Sequence, residues 1–503
     1  MSVTSNWASW SEYKKSERAT VDMPSGGDGR CAIFYPASYA VGMANLGIHY
    51  IYRALRELGV AVERFFAFPI PYRSVEHDTM LERFPVILGS VSYEADVLTF
   101  SRWLAKGGIS PSRESRERFQ SHESPLIGAG GAVTYINPLS LSGICDFVVL
   151  GDGVETIRSF VRTLRRGLSR EKTLAELSEH SSIYVPSAHS HGRYSLNIAN
   201  TDISRDYGHG VWTTPNTVFG NSLLVELQRG CPKKCRFCTI SHCFAPVRIR
   251  DVNLVKRDIE KSAIVSDFSQ IGLVTPEAGD YAALDELLEF AESLGIGVSF
   301  ASLRVDRITE KMMKTIVSGG RRSITIAPES GDDSLRERCG KYFSNGTVVE
   351  KLEMAADMGA KNAKLYFMAG LPDETDEELL SISELCAAAR KKTGLKITAA
   401  VSPFVPKPGT PWKGEVFAGE KKLKAGYSLI LKSFGGINGV KLQRVSIKEA
   451  CLEYAVSWAG PESAKFLATE ELSGDSYRKL EGLMDRTETV SELRRLGLGV
   501  GHE

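Results

Sequence analysis

The chain has 503 residues, 43% of them hydrophobic and 24% charged, and its 62 Lys and Arg against 61 Asp and Glu leave a formal charge of +1. That length is too great for one ordinary core and predicts two or three domains, while near-neutral charge argues against a dominant nucleic-acid surface. No apolar run reaches the roughly 18–20 residues of a membrane span, and the opening MSVTSNWASWSEYKKSERAT lacks a signal-peptide core. Collagen-like, disordered, disulfide-scaffold and integral-membrane classes are excluded, and a soluble cytoplasmic protein is expected.

Residues 1–28 are polar, end in PSGGDGR and read as a leader. From 29 to 180 strand and helix patterns alternate: CAIFYP (31–36) before an amphipathic stretch at 41–58, PVILGSVS (85–92) before 94–105, then PLIGAGG (125–131) and DFVVLGDG (146–153) before a helix near 154–168. Short apolar runs ending in Gly or Ser ahead of helices predict a Rossmann-like parallel sheet with a ligand crevice at the strands' carboxyl ends. Residues 169–218, rich in His, Gly, Pro and Ser, read as a long connection, with 181–218 as the linker proper. Six more strand candidates follow at 222–228, 269–275, 296–300, 323–327, 363–369 and 395–402, separated by helical patterns at 281–294, 309–318, 348–358 and 376–392. Six β/α units are too few for a full eight-stranded barrel and predict an open partial (β/α)6 barrel over 219–417. The segment 418–503 reads as a mainly helical C-terminal extension with one strand candidate at 440–446. The expected fold class is α/β.

Four of the nine cysteines fall within thirteen residues, Cys231, Cys235, Cys238 and Cys243; Cys31, Cys145, Cys339, Cys386 and Cys451 are scattered. An odd count without paired spacing is a poor disulfide framework, and a tight cluster reads better as metal ligation. In ELQRGCPKKCRFCTIS the spacing is CxxxCxxC, directly after a predicted strand. Thiolates suit Fe–S clusters or zinc. Structural zinc takes four protein ligands, so three thiolates instead leave one iron of a 4Fe–4S cluster open to a small molecule. A zinc knuckle completed by Cys243 or His242 is the alternative. Gly230 and Pro232 shape the loop, and Phe237 would set an apolar ring beside the cluster.

CPKKCRFC at the first barrel strand resembles the radical S-adenosylmethionine (radical SAM) superfamily. The resemblance implies that Cys231, Cys235 and Cys238 hold a 4Fe–4S cluster whose open iron chelates the amino and carboxylate groups of S-adenosylmethionine. Reductive cleavage then yields methionine and a 5′-deoxyadenosyl radical that abstracts hydrogen. TPEAGDY (275–281), SFASLRVD (299–306), APESGDDSLR (327–336), KLYFMAGLPDETDEE (364–378) and SPFVPKPGTPW (402–412) resemble the branch with an N-terminal cobalamin-binding-type domain. By that resemblance Glu329 and Ser330 would meet the cofactor's ribose or ammonium, Ser302 and Arg304 its carboxylate, and Asp280 would stand near the strand-two end. Each also has a bland reading as an ordinary structural residue, and no catalytic residue is assigned. Gly370-Leu371-Pro372 shapes a loop, and Glu374 with Thr375 resembles a helix start. Lys233, Lys234 and Arg236 give the loop a positive face, either solvated or docking an acidic reductant such as flavodoxin or ferredoxin.

FYPASYAVGMANLGIHYIYRALRELG (34–59), SVSYE (90–94), GAGGAVTYINP (128–138) and VLGDGVET (149–156) resemble the branch's cobalamin-binding-type domain, so the likeness covers roughly 29–415. Glycines 130, 131, 151 and 153 would let backbone approach a nucleotide tail or corrin edge. The familiar DxHxxG motif is absent: with Gly42 as its glycine, Ala37 replaces Asp and Tyr39 replaces His, and His49 reads as a helix-surface residue. Cobalamin binding is left open, with an inherited supporting fold as the alternative. Cys31 and Cys145 are too few for the second cluster of a methylthiotransferase, and Cys386 and Cys451 too few for a C-terminal auxiliary cluster. Cys243 and Cys339 read as buried thiols, with an acid/base or thiyl role as the alternative. The expected function is radical SAM chemistry on an unidentified small-molecule, lipid or peptide substrate, through cobalamin-dependent methyl transfer or cobalamin-independent oxidation, cyclisation or rearrangement. A non-catalytic Fe–S or zinc protein is the competing class.

Overall fold

Strands in the first half form where apolar residues run unbroken. Cys31–Pro36, Val86–Gly89 and Leu126–Ala129 are buried throughout, the pattern of parallel strands covered on both faces. The computed structural model describes residues 9–118, 124–204, 207–318, 322–469 and 476–498. By internal contacts the chain divides into two units, Met1–Leu224 with Arg257–Phe268 and Ala455–Glu503, and Val225–Lys256 with Ser269–Tyr454.

The first unit holds β1 (Asp28–Ser38), β2 (Val60–Phe68), β3 (Val86–Ser90), β4 (Leu126–Gly130), β5 (Phe147–Val149) and β6 (Ile183–Tyr184). Their order is β2-β1-β3-β4-β5-β6, parallel through β5 and antiparallel at β6. A 2-1-3-4-5 order reverses direction between β1 and β3, and the crevice outside their carboxyl ends is the ligand position of flavodoxin-like sheets.

No strand is among the expected ones at β2, where Glu63 and Arg64 interrupt the apolar run. Both are buried and partnered: Arg64 pairs with Glu17 at 2.8 Å and Glu76 at 2.6 Å, and Ser74 Oγ donates to Glu63 at 2.5 Å. Paired, hydrogen-bonded charges are the kind a core accepts. Glu17 belongs to the expected leader, which is partly built into the fold: α1 (Trp10–Ser16) buries Trp10 with its ring 5.8 Å from Tyr39 and 6.2 Å from Phe66. Residues 1–8 of that leader lie outside the described residues. His49, on α2 (Leu46–Glu57), is fully buried rather than on the helix surface. Its Nε2 lies 3.1 Å from the Met43 carbonyl and its Nδ1 accepts from Val211 N at 3.0 Å.

Residues 169–218, expected as an inter-domain connection, group with the first unit. Asp152 N donates to the Ala199 carbonyl (2.9 Å), Ala199 N to the Leu150 carbonyl (3.0 Å), and Thr20 N to the Val211 carbonyl (3.0 Å). The segment thus closes over the first unit. The C-terminal extension divides: up to Tyr454 it groups with the second unit, and from Ala455 with the first. There Asn137 Nδ2 donates to the Ser457 and Ala459 carbonyls at 3.1 and 2.9 Å.

The second half carries β7 (Ser222–Glu226), β8 (Gln270–Val274), β9 (Gly297–Phe300), β10 (Ser323–Glu329), β11 (Asn362–Ala369), β12 (Lys396–Pro403) and β13 (Val440–Arg444). One sheet has the order β9-β8-β7 and another β10-β11-β12-β13; among the described residues no ladder joins β9 to β10. The strand expected at 440–446 forms as β13, parallel to β12, and extends the six-strand barrel. Ile324, Ile326, Leu365, Phe367, Ile397, Ala399 and Val401 pack outward against α3 (Asn345–Asp357), α4 (Asp376–Thr393) and α5 (Gly419–Ser433). The expected helix start holds as a capping box, Thr375 with Glu378, while Glu374 instead accepts from Gly370 N at 2.6 Å. Among the described residues no helix is long and apolar enough to cross a membrane.

Candidate functional site

Beyond β7 a short ladder, Gln228–Arg229 against Arg248–Ile249, pinches residues 230–247 into a closed excursion carrying the clustered cysteines. Gly230 enters it at φ +77°, where a Cβ would stand 2.6 Å from the Phe244 carbonyl oxygen, so only glycine fits. Cys231 and Cys238 are partly buried, Cys235 is buried, and all are free thiols. Cys238 N donates to the Cys235 carbonyl (3.1 Å), and Arg236 N to the Cys339 carbonyl (3.0 Å). The loop is held from outside by Gly340, which has φ +85° and comes so close that a Cβ would lie 2.9 Å from the Lys234 carbonyl oxygen.

Parallel β/α topology brings the other strand ends to the same rim. Arg304, beyond β9, places Nη1 3.8 Å from Cys235 Sγ and pairs through Nε with Asp306 at 2.6 Å. Glu329 ends β10 at φ +68°, just after a register break in the β10–β11 ladder. A left-handed glutamate is strained, and such strain collects at functional positions. Its carboxylate takes a 2.6 Å ion pair from Lys341, whose Nζ also donates to the Ala327 carbonyl at 2.7 Å. Asp280, after β8, pairs with Lys233 of the cysteine loop at 3.0 Å and with Arg307 at 3.3 Å. Burial pushes the Cys235 thiol up, with Lys341 and Arg304 pulling the other way; burial also raises Cys231. Burial lifts Glu277 to about 7, and its carboxylate accepts from Gly279 N at 2.9 Å.

Cys235, Arg304, Glu329 and Asp280 therefore share one rim, bridged by Lys341 and Lys233. The other sequence candidates are placed differently. Ser302 is exposed and lines a cleft of about 160 Å³ with Thr325 and Tyr366, at the gap between β9 and β10. Ser330 is buried and its Oγ accepts from Asp332 N at 3.0 Å, closing its own turn. Phe237 packs toward Trp412, ring centroids 6.5 Å apart, beside a cluster of Leu335, Cys339, Leu371 and Phe404. The residues that would complete a zinc site turn to carbonyls: His242 Nε2 lies 3.1 Å from Cys235 O, and Cys243 Sγ donates to Pro408 O at 3.6 Å. Burial holds Cys243 and Cys339 up at about 12. Among the described residues no three His, Cys, Asp or Glu side chains are placed to share one metal ion. A cubane makes no such demand, since each thiolate binds a different iron.

Lys341, Glu277 and Gly340 escape sequence reasoning. The available signal is a Gly-Lys pair just past the helix Asp333–Arg338, which does not say that the chain folds back onto the cysteine loop.

Compared with known families, residues 47–186 match the N-terminal region of radical SAM proteins and residues 225–386 match the radical SAM superfamily. The chain belongs to the radical SAM superfamily. An uncharacterized protein of Methanocaldococcus jannaschii is 26% identical to this radical SAM chain over 398 residues, 78% of this chain and 81% of that one. TsrM from Kitasatospora setae, a radical S-adenosylmethionine methyltransferase solved with cobalamin and a 4Fe–4S cluster, superposes with TM-score 0.52 at 13% identity, covering 76% of this chain and 73% of its own. OxsB, a cobalamin-dependent S-adenosylmethionine radical enzyme, gives TM-score 0.52 at 16% identity over 92% of this chain and 61% of its own. At those identities the likeness is one of fold. It establishes the radical SAM barrel and the cobalamin-binding-type architecture ahead of it.

Within that N-terminal architecture, the glycines expected to admit a ligand admit this chain's own atoms. A Cβ on Gly131 would strike the Val91 carbonyl, on Gly151 the Ala199 carbonyl and on Gly153 the Ile51 side chain; Gly130 makes only ordinary contact with Val149. At the motif's histidine position, Tyr39 is buried and donates its hydroxyl to Glu17 at 2.6 Å. Neither Tyr39 nor His49 is free to serve as an axial ligand.

Proposed function

We propose that this radical SAM enzyme holds a 4Fe–4S cluster on Cys231, Cys235 and Cys238 and uses it to cleave S-adenosylmethionine. The observation that carries the proposal is the convergence of three free thiols, Arg304 and the Glu329–Lys341 pair on one rim. The donor set fits the group: soft thiolates, a guanidinium that offsets their charge, and carbonyl-engaged His242 and Cys243 outside it. When bound, the cluster would pass one electron from an external reductant to the cofactor's sulfonium, so that a carbon–sulfur bond breaks to methionine and a 5′-deoxyadenosyl radical. The chain's own residues bind and orient. Arg304 and Lys341 offer cations to the cofactor's carboxylate, Glu329 and Asp280 offer carboxylates to its ammonium or ribose hydroxyls, and Gly340 fixes the cysteine loop against the rim.

The finer reading is methyl transfer assisted by cobalamin. The flavodoxin-type strand order supports it, because that order makes a crevice between the ends of β1 and β3. With Tyr39 and His49 both engaged, cobalamin would be held there without either as an axial ligand. The experiment is anaerobic reconstitution with iron and sulfide, with and without added cobalamin, then reduction in the presence of S-adenosylmethionine. Formation of 5′-deoxyadenosine that disappears in Cys235→Ala supports radical generation; cluster-loaded protein that forms none refutes it. Corrin absorption retained after gel filtration supports the finer reading, and its absence removes it.

A further inference from the structure

The barrel's inner face carries a chemistry that the cluster rim does not use. Along a strand, successive side chains point to opposite faces. Ile324, Ile326, Leu365, Phe367, Ile397 and Val401 are packed into the helix-covered core, so their alternates face the interior. The register aligns Thr325, Lys364, Thr398 and Lys441 in a single row across β10, β11, β12 and β13. Tyr366 and Gln443 occupy the next row toward the rim. Thr325, Tyr366, Lys441 and Gln443 are exposed, and Lys364 and Thr398 half-buried.

Below the rim, charge on this face has one sign. Among the described residues neither Lys364 nor Lys441 has a carboxylate partner. Lys364 Nζ instead lies 4.8 Å from the centroid of the Tyr366 ring, which orients an ammonium without neutralising it. The one carboxylate that β10 to β13 carry is Glu329 at the rim, and it is already paired with Lys341 at 2.6 Å. Two uncompensated lysines flanked by threonine hydroxyls, beside the cleft lined by Thr325 and Tyr366, form a donor set for an oxyanion.

We propose that the barrel interior accepts a substrate bearing a phosphate or carboxylate, seated on Lys364 and Lys441 with the Thr325 and Thr398 hydroxyls. This rests on the radical SAM reading, since it names the substrate class of the same barrel. It also accounts for the polar row: an apolar substrate would gain nothing from two ammonium groups that must be desolvated to receive it.

The test is lysine footprinting of the full-length, cluster-loaded protein under nitrogen, using an acetylating reagent and peptide mass spectrometry. The probes are inorganic pyrophosphate and citrate, with sodium chloride at matched ionic strength as the control. At least a fivefold slowing of acetylation at Lys364 and Lys441, with Lys424 on the outer helix unchanged, is expected with one probe or both. Protection by pyrophosphate alone assigns a phosphate, by citrate alone a carboxylate, and by both the shared oxyanion chemistry. Protection by neither, or equal protection by chloride, overturns the proposal. The reading is independent of turnover, so its failure is distinct from failure to make 5′-deoxyadenosine. Lys364→Gln/Lys441→Gln with an unchanged melting temperature should abolish calorimetric binding of the protecting probe; retained binding would also overturn the assignment.

Discussion

Replacing Gly340 by alanine should loosen the cysteine loop more than backbone strain alone would. At φ +85° an L-residue costs about 1–2 kcal/mol. The added Cβ would also stand 2.9 Å from the Lys234 carbonyl oxygen and 3.1 Å from Cys235 Cα, both backbone atoms that cannot rotate away. Forcing them apart strains packing by about 1–3 kcal/mol and weakens the Arg236 N to Cys339 O bond, worth about 0.5–1.5 kcal/mol. Gly394→Ala is the matched control, with φ +71° and open space where its Cβ would go. The difference between the variants should be about 1.5–4.5 kcal/mol, or about 3–18 °C in melting temperature for a unit of this size. Scanning calorimetry measures the shift, and iron and sulfide analysis after anaerobic reconstitution should show depleted cluster in Gly340→Ala alone. Equal melting shifts and full cluster loading in both variants would refute the reasoning.

Three further outcomes are expected. Burial and the Arg64 charge hold His49 down at about 3, so below pH ~6.5 the unfolded chain takes a proton that the folded chain refuses. Stability should therefore fall as pH drops from ~6.5 toward 3, by at most about 1.4 kcal/mol per pH unit from this group, and urea midpoints of His49→Asn should show a shallower slope. Arg64→Met strips both Glu17 and Glu76 of their shared buried cation and should destabilise the first unit by about 3–5 kcal/mol, whereas Asp78→Asn, at the exposed Arg73 pair, should change stability by less than about 1 kcal/mol. Lys341→Met should lower the melting temperature of the second unit sharply, and Lys341→Met with Glu329→Gln should recover much of that loss, because the double change leaves no buried charge unpaired.

What the sequence discloses depends on how local the cause is. The cysteine spacing is local, so the loop could be named from eight residues. The rim positions of Arg304, Asp280 and Glu329 were legible because parallel β/α units deliver every strand's carboxyl end to one rim, whereas the turn that Ser330 closes and the packing of Phe237 toward Trp412 depend on contacts the strand pattern does not give. Lys341 was not legible: it lies beyond a short helix, and its return to Glu329 is a tertiary fact. β2 was not among the expected strands, and the partners that let it bury Glu63 and Arg64, namely Glu17, Glu76 and Ser74, come from other parts of the chain. The glycines at 131 and 151 were legible as unusual backbone, but what fills the space beside them, Val91 and Ala199, comes from distant chain. The same holds for the inner row of Thr325, Lys364, Thr398 and Lys441, which exists only once the register is known.

The most direct test is electron paramagnetic resonance of the reduced, anaerobically reconstituted protein before and after adding S-adenosylmethionine. A cluster held by Cys231, Cys235 and Cys238 keeps one iron open, so the cofactor should shift the signal's g-values, and Cys235→Ala should show no such signal. A spectrum identical with and without the cofactor would contradict the assignment of this site.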